Sequence, residues 1–442
     1  MLVLILVPII GVLLYLFFGK NWRIKSKREF RKRILILNKL NNLLRNVSEE
    51  DEEETKILKR HSSHPQNYEL INLLSKNSRA VLTTSNRIKI YQSGFEKFKD
   101  LMKDLRNAKS SIHFEYFIWR SDILTKEIHD ILIKKAKEGV EVRIMYDALG
   151  GFLFKRTDKK RLKKAGVKLH SFSNKFLTLN YRNHRKIAII DGNISYLGGM
   201  NMGQEYIDGG GYKFWKDTHM KIIGRASQVL QTIFINDWYH ATKEKMFSRK
   251  YFPTNQKTFH KLPMQIAISG PDSKWESINQ LYFSLINSVD KYIYIRSPYF
   301  VPDRSIIMAL KTAALRGLDV RLMVTGVADK KIPYWAAFTF FRDLMRAGVK
   351  IYHYNRGLMH SKTIVLDDQI STVGTANMDS RSFFLNYELN ALMYDKKTAI
   401  KLRDDFLEDL KYSKRLYLSD YNSFNIFVRI RNSLARLFSP IL

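Results

Sequence analysis

The sequence predicts an α/β fold of two tandem repeats, each a mixed β-sheet flanked by helices, related by a pseudo-twofold and preceded by one N-terminal transmembrane helix. Three observations carry this reading. β-branched runs alternate with helical runs, the signature of strands layered with helices. The order of those runs recurs in the second half of the chain, and long internal repeats fix architecture. Residues 2–18 (LVLILVPIIGVLLYLFF) hold no charged side chain.

In chain order, the uncharged run comes first. At 1.5 Å per residue it reaches roughly 26 Å, just enough to span a ~30 Å hydrocarbon core. A cleaved signal peptide would show positive charge before the run and a small-residue cleavage site after it, and neither is present, so 1–18 is expected to be a retained anchor. Lys20, Arg23, Lys25, Lys27, Arg28, Arg31, Lys32 and Arg33 follow, with Trp22 at the interface. By the positive-inside rule this cluster puts the body on the cytoplasmic side of a bacterial cell membrane. Residues 19–80 are polar with Leu and Ile at helical spacing, and are expected to form a basic juxtamembrane stalk. Repeat 1 occupies 81–262 and repeat 2 occupies 263–442. SIHFEYFIW (111–119), ILIKKAKEG (131–139), VEVRIMYD (140–147) and KKAGVKLHSF (163–172) answer to YIYIRSPYF (292–300), ALKTAALRG (309–317), LDVRLMVTG (318–326) and MRAGVKIYHY (345–354). The closing run FNIFVRIRNSLARLF (424–438) mixes Arg with large apolar residues at helical intervals, a pattern for an interfacial membrane helix.

Composition narrows the function. Of 442 residues, 45% are hydrophobic and only 9 are Pro and 21 Gly, which excludes disordered and collagenous chains. The absence of cysteine removes disulfides, thiolate metal sites and cysteine nucleophiles. Seventy-five Lys+Arg against 42 Asp+Glu leave a net charge of +33, which implies an anionic partner. The apolar N-terminus selects anionic lipid over nucleic acid.

After each KAGVK or RAGVK segment comes a short constellation, NHRKIAIIDG (183–192) and MHSKTIVLDD (359–368). His184, Lys186 and Asp191 match His360, Lys362 and Asp367, and each His precedes an Asn, Asn201 or Asn377, by the same interval. One such motif is weak evidence; two in register within a larger repeat are strong. On a strand, residues two apart share a face, so His and Lys project together while Arg185 or Ser361 points away. Two His with two Lys, without metal or thiol, suit phosphodiester transfer. One imidazole attacks phosphorus, the other protonates the leaving oxygen, and the lysines neutralise the non-bridging oxygens.

At these residues the sequence resembles the phospholipase D superfamily, in which a duplicated HxKxxxxD motif forms one active site between two repeats. The resemblance covers roughly 80–442. FEYFIW (114–119), YLGGMNMGQEY (196–206), WKDTHMKIIG (215–224), SPYFVPD (297–303) and GTANMDSRSFFLNYELN (374–390) make it most similar to the bacterial cardiolipin synthases. Many of these carry two N-terminal membrane helices, whereas this chain has room for one. The resemblance implies that His184 and His360 are the nucleophile and the general acid/base, with His184 as nucleophile, and that Lys186 and Lys362 hold the phosphate. It further implies that Asn201, Thr375 and Asn377 hydrogen-bond that phosphate. A downstream carboxylate orients each imidazole, Glu388 in the second half and Asp217 in the first, and Asp191 and Asp367 count with the catalytic motif residues, bracing the site from past the strand ends rather than touching substrate. The implied reaction joins two phosphatidylglycerols into cardiolipin and glycerol through a phosphatidyl-histidine, with no cofactor, no metal and no nucleic acid. The rivals are a phospholipase D-type hydrolase, a superfamily nuclease and a catalytically silent membrane scaffold.

Overall fold

The computed structural model describes residues 65–172, 180–253 and 261–442. The expected anchor (1–18) and basic cluster lie outside the described residues, among which no helix is long and apolar enough to cross a membrane.

The first repeat supplies strands β1 (Thr83–Tyr91), β2 (Ser111–Tyr116), β3 (Glu141–Tyr146), β4 (Lys168–Ser171), β5 (Lys186–Ile190), β6 (Ile194–Gly198), the short β7 (Trp215–Lys216) and β8 (His219–Gly224). The second supplies β9 (Lys261–Ser269), β10 (Tyr292–Arg296), β11 (Phe300–Val301), β12 (Asp319–Thr325), β13 (Lys350–Tyr354), β14 (Leu358–Met359), β15 (Thr363–Leu366), β16 (Ile370–Gly374), β17 (Met378–Asp379), β18 (Glu388–Met393) and β19 (Ser413–Leu416). Fifteen of these strands form one continuous sheet in the order β19-β13-β12-β10-β15-β16-β18-β9-β1-β8-β6-β5-β2-β3-β4. Outward from the antiparallel β9–β1 contact, each strand meets its repeat mate in the same sequence, and β19 is an addition at one edge. That order is the pseudo-twofold the repeat predicts. The sheet is mixed: β2–β3–β4 and β10–β12–β13 run parallel, and the strands that carry the duplicated motif pair antiparallel.

Helices cover both faces. We label α1 (Pro65–Asn77), α2 (Gly94–Asn107), α3 (Ile123–Lys137), α4 (Arg225–Thr242), α5 (Ser277–Asn287), α6 (Arg304–Leu315), α7 (Lys331–Arg346), α8 (Lys396–Leu410) and α9 (Ile426–Arg436). The crossover helices α3 and α6 start at matching aspartates, Asp122 accepting from Thr125 N (2.9 Å) and Asp303 from Ile306 N (3.1 Å). Such N-caps contribute about 1 kcal/mol each. Strand alternation sorts the layers: Val320, Leu322 and Val324 of β12 join the core under α6 and α7, while Met323 faces Phe406 of α8. A third core unites both repeats, with Ile187, Ile189 and Phe234 of the first packed among Val365, Leu389 and Leu402 of the second.

The reading of 19–80 as a stalk is corrected at its end. Leu70, Ile71 and Leu74 are buried, and Leu70 and Leu74 belong with Leu281 and Leu285 to the core of repeat 2. Their i, i+1, i+4 spacing makes one apolar helical face, so the chain from Pro65 onward is part of the body. β9 begins at Lys261, two residues before the expected repeat boundary.

Candidate active site

His184 and His360 sit just before β5 and β15, where two short parallel ladders cross between the repeats. Residue Asn183 bridges Tyr387, with His184 N donating to Tyr387 O (2.9 Å) and Tyr387 N to Arg182 O (2.8 Å). In the mate position, β14 pairs with β7, and His360 N donates to Lys216 O (2.7 Å). Each ladder delivers a carboxylate from the opposite repeat. His184 Nδ1 lies 2.9 and 3.0 Å from the two carboxylate oxygens of Glu388, and His360 Nδ1 lies 2.8 Å from Asp217 Oδ2. The half-by-half assignment of these carboxylates is therefore corrected: Glu388 serves the first-motif histidine and Asp217 the second. The partners are 204 and 143 positions apart, so only the assembled fold reveals the exchange.

Glu388 is wholly buried, and burial pushes its carboxyl up to about 7 against the pull of Lys186. The Thr375 hydroxyl (2.5 Å) and the Asn386 amide (3.1 Å) donate to it as well. Three converging donors are the surroundings of an anion, so Nδ1–H of His184 donates and Nε2 keeps its lone pair. Lys362 Nζ also comes within 2.9 Å of His360 Nδ1. An ammonium cannot donate to a nitrogen that is giving its own proton to Asp217, so its hydrogen bond is the one to the His360 carbonyl. Lys186 Nζ likewise donates to His184 O (2.7 Å). Each ammonium keeps further N–H donors for an anion.

All four motif side chains are buried and feel one another. Burial first, then Lys186 and Lys362, holds His184 well below the ordinary imidazole range. Burial, then Lys362, lowers His360 to about 4, with Asp217 pulling upward. Burial also lowers Lys186 to about 7 and Lys362 to about 8. Two neutral imidazoles beside two cations await negative charge, and a phosphodiester supplies it.

Other expected residues fall elsewhere. Thr375 spends its hydroxyl proton on Glu388 and is not free to hold a phosphate. Asn201 accepts from Ile118 N (3.1 Å) and donates to the Tyr206 hydroxyl (3.0 Å), fixing the loop after β2. Asn377 donates to Asp379, and its Oδ1 is buried without a partner. Asp191 and Asp367 take no part in the site. They lie past the far ends of β5 and β15, about 17 Å along the strand from Lys186 in the first case. Each carboxylate accepts three backbone N–H groups, from Lys109, Ser110 and Ser111 or from Asp290, Lys291 and Tyr292. Arg185 and Ser361 point away as the alternation requires, Arg185 to a buried ion pair with Asp237 and Ser361 to Thr218.

The sequence reading missed the rings that frame the imidazoles. Phe117 stands edge-on to His184 at 4.9 Å, and Trp215 and Tyr299 flank His360 at 6.1 and 6.4 Å. Repeat alignment carried the signal, since Phe117 and Tyr299 follow mated strands β2 and β10. It also missed Gly199, the mate of Thr375, where an added Cβ would fall 2.0 Å from Asp217 Oδ1.

A family model described as "Cardiolipin synthase, PLD-like domain" matches residues 101–238 and 282–410, both repeats and both motifs. The chain belongs to this family. It is 41% identical over 450 positions to a cardiolipin synthase of Alkalihalophilus pseudofirmus, covering all of this chain and 88% of that one. It is likewise 41% identical over 453 positions to the major cardiolipin synthase ClsA of Bacillus subtilis, covering all of this chain and 92% of that one. Among solved structures, the phosphatidylserine synthase of Haemophilus influenzae superimposes with a TM-score of 0.66 at 16% identity, over 85% of this chain and 100% of that one. At that identity the likeness bears on the fold alone.

Proposed function

We propose that this protein is a phosphatidyltransferase that converts two phosphatidylglycerols into cardiolipin and glycerol. The observation that carries the reading is the pair of imidazoles, each tied at Nδ1 to a buried carboxylate of the other repeat and each beside a buried lysine. His184 Nε2 attacks the phosphorus of the first lipid; the P–N bond forms and the bond to the glycerol oxygen breaks. His360 gives its proton to that oxygen. The bound phosphodiester anion restores the protonated form of His360 that burial disfavours in the empty site. The headgroup hydroxyl of a second phosphatidylglycerol then loses its proton to His360 and attacks phosphorus, and the P–N bond breaks. One phosphodiester is broken and one formed, so the exchange is close to isoenergetic and calls for neither nucleotide nor metal. We take His360 as the proton carrier: burial and Lys362 lower it to about 4 with Asp217 pulling upward, whereas burial, Lys186 and Lys362 hold His184 well below the ordinary imidazole range.

We further infer that the uncharged run 2–18 and its basic flank hold the body on the cytoplasmic face of the bacterial cell membrane, beside anionic substrate and product. The test is incubation of the purified protein with phosphatidylglycerol alone in excess EDTA. Cardiolipin and glycerol in equal amounts are expected. Phosphatidic acid as the main product would indicate a hydrolase, and loss of turnover restored by a divalent ion would overturn the mechanism.

A further inference from the structure

Helix α9 is inverted for a helix on a water-soluble body. Ile426, Phe427, Ile430, Leu434, Leu437 and Phe438 are 49–77% exposed. At about 100° per residue they share one arc of roughly 120°. The opposite side faces the protein: Asn432 and Ala435 are buried, Arg431 lies over the Trp335 ring at 4.7 Å, and Arg436 lies over Phe340 at 4.5 Å. Packing on α7 has thus used the polar face and the Arg431 and Arg436 guanidinium groups and left the apolar stripe outward, where water makes it unfavourable.

The segment that follows α9 is tied to the chain leading into the first motif. Arg381 donates through N to Leu442 O (2.6 Å) and through Nε to Ile441 O (2.9 Å). The same guanidinium donates to Asn180 O and Oδ1 (3.0 and 2.9 Å), four residues before His184. A second exposed apolar group lies in the loop after β3, which also contacts the chain before His184. Phe152 is 83% exposed, with Leu149 and Leu153 beside it. Its loop starts at Asp147, which accepts from Asn183 N (3.0 Å), and packs on the Phe117 backbone at Gly150. Beyond Asp420 the chain has no acidic residue and carries Arg429, Arg431 and Arg436.

We propose that α9 and the 149–153 loop together form an in-plane docking surface for an anionic bilayer, seating the mouth before His184 among the headgroups. Apolar side chains enter the headgroup–acyl boundary while the exposed Arg429 meets lipid phosphates. The inference rests on the lipid substrate proposed above and adds a contact separate from the N-terminal anchor.

The chain has no cysteine, so Phe427→Cys and Phe152→Cys each provide one thiol for a polarity-sensitive dye in the full-length protein. Lys401→Cys, exposed on α8 across the sheet, is the control. The labelled proteins are reconstituted in vesicles of equal parts phosphatidylglycerol and phosphatidylcholine. Quenching by lipids spin-labelled high on the acyl chain, with protection from aqueous iodide, is expected at 427 and 152 and not at 401. Iodide access at 427 and 152 overturns the proposal, as does protection from iodide without lipid quenching, which would mean a second copy covers the face. Cardiolipin formation is read in the same vesicles: failed synthesis with lipid quenching intact rejects the proposed reaction and leaves the docking surface standing. A Phe427→Asp/Leu434→Asp variant is expected to lose about tenfold or more turnover on vesicles and none in detergent micelles. Equal turnover on vesicles would also overturn it.

Discussion

Asp191 and Asp367 close each HxKxxxxD motif yet act at a distance from its chemistry. Both sit at positive φ (52° and 53°), where Asp and Asn are tolerated, and both gather backbone N–H groups at the start of β2 or β10. Asp191→Asn keeps the backbone preference and removes the charge. It is expected to cost about 1–3 kcal/mol of stability, read from the denaturant midpoint, with turnover per folded molecule unchanged. Lost turnover at unchanged stability would return Asp191 to the site. The lysines make a different prediction. Burial lowers Lys186 to about 7 and Lys362 to about 8 from an ordinary 10.5. Both are therefore cationic below that range and lose their charge as pH rises through it, and with it their hold on an anionic phosphodiester. kcat/KM for phosphatidylglycerol is expected to fall as pH rises through about 7–8. The bound anion raises both lysine values, so the fall in kcat comes at higher pH. Superimposable limbs for kcat and kcat/KM would contradict the assignment.

At the scale of elements, the two crossed ladders decide which carboxylate serves which histidine. Their mates are unequal: Glu388 grips His184 with both oxygens and is itself held by Thr375, whereas Asp217 reaches His360 with one oxygen and takes Thr218 N (2.7 Å) on the other. Replacing either with its amide leaves the ladders in place and removes the charge that supports an imidazolium. A loss of roughly 10³-fold or more in kcat is expected for each. The two variants differ in the step they impair. With a substrate bearing a good leaving group, Glu388→Gln is expected to slow formation of the histidine adduct, and Asp217→Asn to form it and stall. Rapid-quench kinetics separates these outcomes, and the reverse pattern would restore pairing within each repeat.

Across the whole molecule, the repeats share a sheet, a core and the site. Unfolding is expected as a single transition spanning both repeats, and two resolved transitions by fluorescence and circular dichroism would contradict the shared core. Much of this was legible in the sequence, because strand alternation and the motif interval are local properties that recur. The duplicated strands β2 and β10, the crossover helices and the His–Lys faces follow from it. The exchange of Glu388 and Asp217 was not legible, since its ladders join residues from different repeats. The role of Thr375 was misread because its partner is set by β16–β18 pairing. α1 was misplaced because its apolar face finds its core in repeat 2, some 200 residues later. The proposed reaction turns on one covalent step, the transfer of a phosphatidyl group to His184. A His360→Asn variant given a phosphatidyl substrate with a good leaving group, which needs little acid assistance, would accumulate that intermediate. Peptide mass spectrometry under alkaline handling is expected to find the phosphatidyl adduct on His184, and none in His184→Asn. An adduct on His360 in His184→Asn would reverse the two roles, and no adduct on either histidine under these conditions would contradict covalent transfer.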